Sequence, residues 1–461
     1  RQRQMCIRDS TCLNRGCIPS KALLTAVHSV ETIHNAERMG INATLQSIDF
    51  GRLRDFRVST VETMTKGLTG LLAHRGVTVF RGCAALQNAH TVRVTPAEGE
   101  TQVSRSVEAG VFEPVETELA IDADDIVLAT GSRPLALPGN PFAGALIDST
   151  QALELNTLPS SAVIIGAGAV ALEFASLWNA AGCEVTLLIR KDRVLSTWER
   201  RASMTLTREL KRRGVNVIAR TAVDRVDTGA NLGATVHYRQ GDSDEDRTAY
   251  GEVVLAAIGR VPNTDADWFR SSGLKLDERG YVTVDGYGRT NLDGVWALGD
   301  ITPGHALAHR AFEQGITIAE KIAGADPKPV IDDTVPQVVF SFPEAASVGL
   351  TLDQAKARED VVEPKETAYP MLSNARMLMS GEGGSMTVVS GAFANNPDMQ
   401  VVLGVHIVSP IASDLIAEAE QLVGNRVPLA DAARLIHPHP TFSETLGEAL
   451  LKADGRPLHT R

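Results

Sequence analysis

A chain of 461 residues with 43% hydrophobic content carries enough apolar material for about three globular domains. Its 56 acidic residues against 45 basic ones leave a net charge of −11, which argues against the clustered excess of Lys and Arg that nucleic-acid binding demands. No apolar run approaches the roughly 18 residues of a membrane span, and the opening RQRQMCIRDS leads into no apolar signal segment, so a cytoplasmic protein without nucleic-acid or membrane partners is expected.

The 39 glycines and many short Val/Ile/Leu/Ala runs favour an α/β enzyme. Five cysteines, an odd and low count, argue against a secreted disulfide framework. In TCLNRGCIPSKALL, Cys12 and Cys17 lie five positions apart. Zinc would need two further ligands at short spacing, and the nearby His28 and His34 fall at the wrong intervals, so no metal is expected. A redox pair is the better reading, and two buried apolar thiols are the alternative. Residues 20–39 read as a helix with Ala22, Leu23, Ala26, Val27, Val30 and Ile33 on one face. Cys17 then sits near a helix N-terminus, where the dipole favours thiolate. Short strands follow at 77–80 and 91–95, and residues 96–118 read as a surface hairpin or loop.

DIVLATGSRP at 125–134 is an apolar strand running into a glycine turn, and GEVVLAAIGRVPN at 251–263 repeats the device. Between them a strand at 162–165, the turn Gly166-x-Gly168-x-x-Ala171, a helix and a strand at 184–189 form a βαβ unit, whose glycines permit close approach of a pyrophosphate. An NAD site calls for an acidic residue at the end of the second strand, but Arg190 and Lys191 stand there. These cations suit a 2′-phosphate, or else form a solvated basic corner. GVWALGD at 294–300 closes a third strand on Gly299 and Asp300. From residue 335 the pattern becomes a separate mixed domain, with strands near 337–340 and 399–407 and helices near 411–423 and 429–435. Near its end, in HPHPTFSE, His439 precedes Glu444 by five residues, a spacing from which a carboxylate can orient an imidazole base.

Taken together, CLNRGCIPSK, the Ala129-Thr130-Gly131 turn, GAGAVALE, GVWALGD and HPHPTFSE resemble the FAD-dependent pyridine nucleotide–disulfide oxidoreductases, in the right order along nearly the whole chain. The resemblance implies an α/β fold of two Rossmann-like nucleotide-binding domains and a C-terminal α+β dimerisation domain. The implied division is FAD-binding at 11–155, NAD(P)-binding at 156–270, a return to the FAD-binding or central domain at 271–334, and dimerisation at 335–461. It makes Cys12 and Cys17 a redox disulfide, Cys12 exchanging with substrate and Cys17 lying against the flavin. Lys21 would lie near the flavin and pair with Glu173. Ala129, Thr130, Gly131, Gly299, Asp300, Ala306, Leu307, Ala308 and His309 would line the FAD. Gly166, Gly168, Ala171, Glu173, Arg190, Lys191 and Gly259 would line NAD(P). His439 and Glu444 would form an acid–base dyad reaching into the partner subunit of an obligate homodimer.

The tail HPTFSETLGEAL resembles the members that oxidise protein-bound dihydrolipoamide to lipoamide with NAD+, on lipoyl domains of 2-oxoacid dehydrogenase or glycine-cleavage complexes. Arg190, Lys191 and Ala171 keep open an NADPH-dependent reductase of a small disulfide of the glutathione or mycothiol type. Mercuric reductase and relay-type thioredoxin reductase are disfavoured because no cysteine follows Cys183. The family's first βαβ unit, which carries the FAD pyrophosphate, has no room before Cys12; residues 1–10 read as unrelated and Cys6 has no family counterpart. A truncated, flavin-poor, inactive dimeric chain is therefore a third expectation. Cys83 and Cys183 are expected to be buried packing residues, and Trp178 and Trp198 structural. The absorbance spectrum of the purified protein tests the third expectation: lack of a flavin band supports it, and stoichiometric FAD sinks it.

Overall fold

The computed structural model describes residues 10–229 and 233–460, so Cys6 and residues 1–9 lie outside the described residues. Helix α1, Cys17–Asn35, starts three residues ahead of the expected helix. A π-helical turn, Thr11–Arg15, leads into it, with the Leu13 N–H capped by Ser10 Oγ at 3.2 Å. Gly16 makes the junction feasible, since a Cβ there would stand 2.8 Å from the Thr11 carbonyl oxygen. α1 buries Ala22, Leu24, Val27 and Val30, and its end tightens into a 3-10 turn, Ala36–Met39. Helix α2, Phe50–His74, which the sequence reading missed, buries none of its residues, although Phe50, Leu53, Val61, Met64, Leu68, Leu71 and Leu72 fall at helical spacing along one face.

The expected strand at 77–80 shrinks to Phe80–Arg81, which pairs with the first strand of the hairpin Ser104–Glu108 and Val111–Pro114. Thr91–Thr95 is a strand as expected, and it pairs with Cys83–Asn88, so Cys83 is half-buried and not a core residue. Strand β1, Ile126–Leu128, is followed by β2, Ser132–Pro134, and β3, Leu146–Ile147. A short helix α3, Ser149–Leu153, leads to β4, Ser161–Ile165, then α4, Ala169–Ala180, and β5, Glu184–Ile189. Helix α5, Arg200–Arg212, β6, Asn216–Ala219, and β7, Val253–Ala256, complete a five-stranded parallel sheet of order β6-β5-β4-β7-β3. Ala162, Val163, Ile164 and Ile165 are all buried, the continuous apolar run of a strand covered on both faces.

The two repeated glycine devices meet. β8, Arg260–Pro262, pairs antiparallel with β2, and β9, Val295–Ala297, pairs parallel with β1. Helix α6, Ala308–Ile322, follows. The C-terminal part is an antiparallel sheet, β10 (Gln337–Val339), β11 (Glu344–Gly349), β12 (Val361–Tyr369), β13 (Ser385–Phe393) and β14 (Asn396–Ser409), in the order β10-β11-β14-β13-β12. Helices α7, Ala412–Gly424, and α8, Glu444–Ala453, complete it, and the helix expected at 429–435 is a single turn, Leu429–Ala432. Among the described residues no helix is long and apolar enough to cross a membrane.

One core joins these parts: Leu24, Val27 and Val30 of α1, Leu172 and Trp178 of α4, Leu187 of β5, and Val339, Ala345 and Val408 of the C-terminal sheet. Trp198 packs against it partly buried, and Cys183 lies inside it. Leu172→Ala opens a cavity in this shared core at a cost of about 3 kcal/mol. Calorimetry is expected to show a drop of several degrees in the melting midpoint, and an unchanged midpoint would contradict the shared core.

Candidate active site

Cys12 lies in the π-turn and Cys17 is the first residue of α1, both half-buried and both free thiols. The short turn brings them close enough to share a side-chain hydrogen bond, and that bond separates their acidities. Cys17 is lowered to about 7, first by the hydrogen bond from Cys12, against burial, with help from the positive charge of Lys21. Cys12 is pushed well above the ordinary thiol range by its bond to the Cys17 sulfur and by burial. One thiol is thus poised as thiolate and the other held as its proton donor.

Lys21, one turn into α1, places Nζ 2.8 Å from both carboxylate oxygens of Glu173 on α4 and 4.6 Å above the Phe340 ring. Glu173 Oε1 also accepts the Phe340 N–H at 3.2 Å. The pair expected from the sequence is therefore formed, and it is far from a surface pair: the Lys21 and Glu173 side chains keep 30% and 10% of their exposure. Phe340 was not foreseen, because it acts through its backbone N–H and through a ring that only the fold brings to Lys21.

Gly166 has φ +143, and a Cβ there would stand 2.2 Å from the Ala257 carbonyl oxygen, so the turn admits glycine alone. Gly168 caps α4 and faces open space, while Ala171 is buried beneath the turn. The turn therefore offers a helix N-terminus to an anion with no side chain in the way. Arg190 and Lys191 are exposed just beyond β5, and Gly259 is exposed between β7 and β8 with its carbonyl accepting the Leu135 N–H at 3.0 Å.

The other strand-end cluster lies at the C-terminal edge of the parallel pair β1 and β9, the edge at which parallel sheets bind ligands. Ala129, Thr130 and Gly131 leave β1 there, and Gly299 and Asp300 leave β9. Thr130 Oγ1 donates to the Asn263 carbonyl and Asn263 Nδ2 returns a bond to the Thr130 carbonyl, each at 2.9 Å. The Gly299 N–H donates to Gln314 Oε1 at 2.8 Å. Asp300 accepts from Ser132 Oγ, which in turn accepts from Arg260 Nε at 2.7 Å. Burial lowers the Arg260 guanidinium, while Asp300, Asp148 and Cys17 counter that effect. Ser132 and Arg260 were missed, although each directly follows a glycine of the repeated device. Ala306 and Leu307 approach α6, and Ala308 and His309 open it, His309 Nε2 donating to the Pro336 carbonyl at 2.7 Å.

His439 Nδ1 lies 2.7 Å from Glu444 Oε1, and the Thr441 N–H fixes the other carboxylate oxygen at 2.7 Å. Against a desolvation that alone would raise it, the Thr441 N–H and His439 hold the Glu444 carboxyl below its usual range. His439 is 76% exposed in its side chain. Among the described residues no hydrogen bond or ion pair joins this dyad to Cys12 or Cys17 of the same chain. Two residues earlier, His437 bonds Glu418 at 2.9 Å, a carboxylate that raises its pKa, and its ring packs against Gly447.

An acidity-split thiol pair beside a lysine–glutamate couple, on a sheet with a glycine turn open to pyrophosphate, defines a nucleotide-linked thiol–disulfide oxidoreductase. The family model "Pyridine nucleotide-disulphide oxidoreductase" matches residues 2–315, and that family's dimerisation domain matches residues 335–450, which supports a homodimer. The chain belongs to the pyridine nucleotide–disulphide oxidoreductase family, whose domains bind FAD and NAD(H). It is similar to the dihydrolipoyl dehydrogenase of Geobacillus stearothermophilus, 36% identical over 97% of this chain and 89% of the relative. A Bacillus subtilis dihydrolipoyl dehydrogenase is 34% identical over 97% of this chain and 90% of its own. The crystal structure of LpdA from Mycobacterium tuberculosis overlays with a TM-score of 0.81 at 26% identity, covering 96% of this chain and 91% of that one.

The order of influences on Cys17 is open to measurement. In the dithiol form, its alkylation rate is expected to rise through about pH 7. Cys12→Ala, which deletes the largest cause, moves that inflection upward further than Lys21→Met does; the reverse order would contradict the assignment.

Proposed function

We propose that the chain is a dihydrolipoyl dehydrogenase, oxidising the dihydrolipoyl dithiol of a protein-borne lipoyl domain with a nicotinamide nucleotide as acceptor. The observation that carries this reading is the combination of the Cys12/Cys17 pair beside Lys21–Glu173 with the exposed His439–Glu444 dyad, in a chain similar to curated enzymes of that name along nearly its whole length. Starting from the oxidised Cys12–Cys17 pair, His439 takes a proton from one substrate thiol, and the resulting thiolate attacks Cys12 Sγ. The Cys12–Cys17 bond breaks and its electron pair leaves on Cys17, whose low pKa makes it the better leaving group. The second substrate thiol then attacks the substrate sulfur of the mixed disulfide, closing the cyclic product; the bond to Cys12 breaks with its electron pair on Cys12 Sγ, which takes up the proton that this second thiol releases, and His439 passes the first proton to solvent. Glu444 keeps the His439 ring oriented through both proton transfers. The exposure of His439 suits a base that serves the cysteine pair of the partner subunit.

The donor set fits a flavin at the β1 and β9 edge: a carboxylate at Asp300 for ribityl hydroxyls, the strand-end backbone of Ala129, Thr130 and Gly131, and the approach from Ala306 to His309. Bound FAD supplies a two-electron acceptor for the Cys17 thiolate and a hydride donor to the nicotinamide. Lys21 keeps a positive charge near that thiolate, and Glu173 keeps Lys21 in place. Gly166, Gly168 and Ala171 shape the nucleotide turn, and Gly259 borders it.

Replacing His439 with glutamine is expected to lower kcat for dihydrolipoamide oxidation by about a hundredfold or more, while reduction of ferricyanide by the reduced nucleotide persists. Cys12→Ser is expected to abolish the first reaction and spare the second. Full dihydrolipoamide turnover in either variant would overturn the reading.

A further inference from the structure

The turn that carries His439 and Glu444 is held from outside by a buried side chain. Asn374, 6% exposed, precedes the short helix Ala375–Ser380 and caps it, its Oδ1 accepting the Met377 N–H at 3.1 Å. That cap uses only the acceptor half of the amide, a task that serine or aspartate performs as well. The donor half is spent elsewhere: Nδ2 donates to the Thr441 carbonyl at 3.0 Å, 67 positions along the chain. A buried amide N–H without an acceptor is destabilising, so it is the bond to Thr441, and not the cap, that asks for asparagine here.

Thr441 is the hub through which this bond reaches the dyad. Its N–H donates to Glu444 Oε2 at 2.7 Å, and Glu444 Oε1 lies 2.7 Å from His439 Nδ1. Its hydroxyl donates to the Pro438 carbonyl at 2.7 Å and lies 2.8 Å from Ser443 Oγ. The helix that Asn374 caps makes a second contact with the turn, since Arg376 sets its guanidinium 5.2 Å from the centre of the Phe442 ring. On the other side of the dyad, His437 is tied to Glu418 of α7 at 2.9 Å. His439 therefore stands between two anchored points. An imidazole whose side chain is 76% exposed keeps its direction through the carboxylate beside it, and that carboxylate keeps its own through Thr441.

We propose that Asn374 is a positioning residue of the acid–base dyad: by holding the Thr441 carbonyl it fixes the N–H that aims Glu444, and through Glu444 the ring that moves the substrate proton. The inference rests on reading His439 as the base of dihydrolipoamide oxidation, and it adds a residue outside the dyad that acts through it. Small displacements of a reacting group carry large losses of rate, which is why a bond so far from the thiols matters to the chemistry.

Steady-state kinetics of the full-length protein test it. Asn374→Ser keeps a capping oxygen and removes the donor, and Asn374→Asp keeps the shape but turns an acceptor towards the Thr441 carbonyl. Both are expected to lower kcat for dihydrolipoamide oxidation by about tenfold with KM held within about twofold, while reduction of ferricyanide by the reduced nucleotide persists and reports a folded enzyme. Added to Glu444→Gln, Asn374→Ser is expected to bring little further loss, because its effect passes through that carboxylate. Full kcat in Asn374→Ser, an equal loss in the ferricyanide reaction, or a loss that multiplies in full with that of Glu444→Gln overturns the proposal. If Asn374→Asp folds poorly, Asn374→Ser decides the matter. A wild-type protein without dihydrolipoamide turnover overturns the catalytic reading and takes this inference with it; an active wild type whose Asn374 variants are unimpaired overturns this one alone.

Discussion

The buried carboxylate of Glu173 is the constraint around which the site is arranged. A desolvated charge must be matched in place, and Glu173 is matched by two bonds from Lys21 and one from the Phe340 N–H. Those partners belong to the cysteine helix and to the segment beside the C-terminal sheet, while Glu173 itself rides on the helix that opens at the glycine turn. A single carboxylate thus sets the position of the thiols, the nucleotide helix and the C-terminal sheet relative to one another. Because Lys21 is a source of positive potential on Cys17, the same contact is chemical as well as architectural.

The asymmetry between the thiols follows from local geometry. Glycine at position 16 permits a junction that places Cys12 as donor and Cys17 as acceptor, and this hydrogen bond outweighs the lysine in lowering Cys17. The helix start invoked from the sequence is present at Cys17, but the dominant influence is the neighbouring thiol.

The strands at Glu184–Ile189 and Thr91–Thr95 were legible because apolar runs between turn residues are short-range signals. The glycine turns, the Lys21–Glu173 pair and the His439–Glu444 dyad were legible because each rests on a motif. Helix α2 was legible in principle, since Phe50, Leu53, Val61, Met64, Leu68, Leu71 and Leu72 fall at helical spacing, and the reading missed it although the stripe is only half-covered in the fold. The strand foreseen at 77–80 shrank because its ladder is set by a partner at residues 104–105, and the helix foreseen at 429–435 closes after one turn with no side-chain cap at Pro428. Ser132, Arg260 and Phe340 were invisible for a related reason: each meets a partner set by tertiary pairing, Ser132 on Asp300, Arg260 on Ser132, and Phe340 on Glu173 and Lys21. The two glycine devices looked like repeats, and only the fold shows that their tails pair with each other.

The core that joins Leu24, Val27 and Val30 to Val339, Ala345 and Val408 brings together segments made early and late in synthesis. On the ribosome the cysteine helix emerges long before strand Asn396–Ser409 exists to cover its surroundings. Its apolar face and its two thiols therefore stay only partly covered, by α4 and its neighbours, until that strand is made. This is the interval in which chaperone binding and stray oxidation compete with folding, and in which the shared core cannot yet protect the chemistry it will later support.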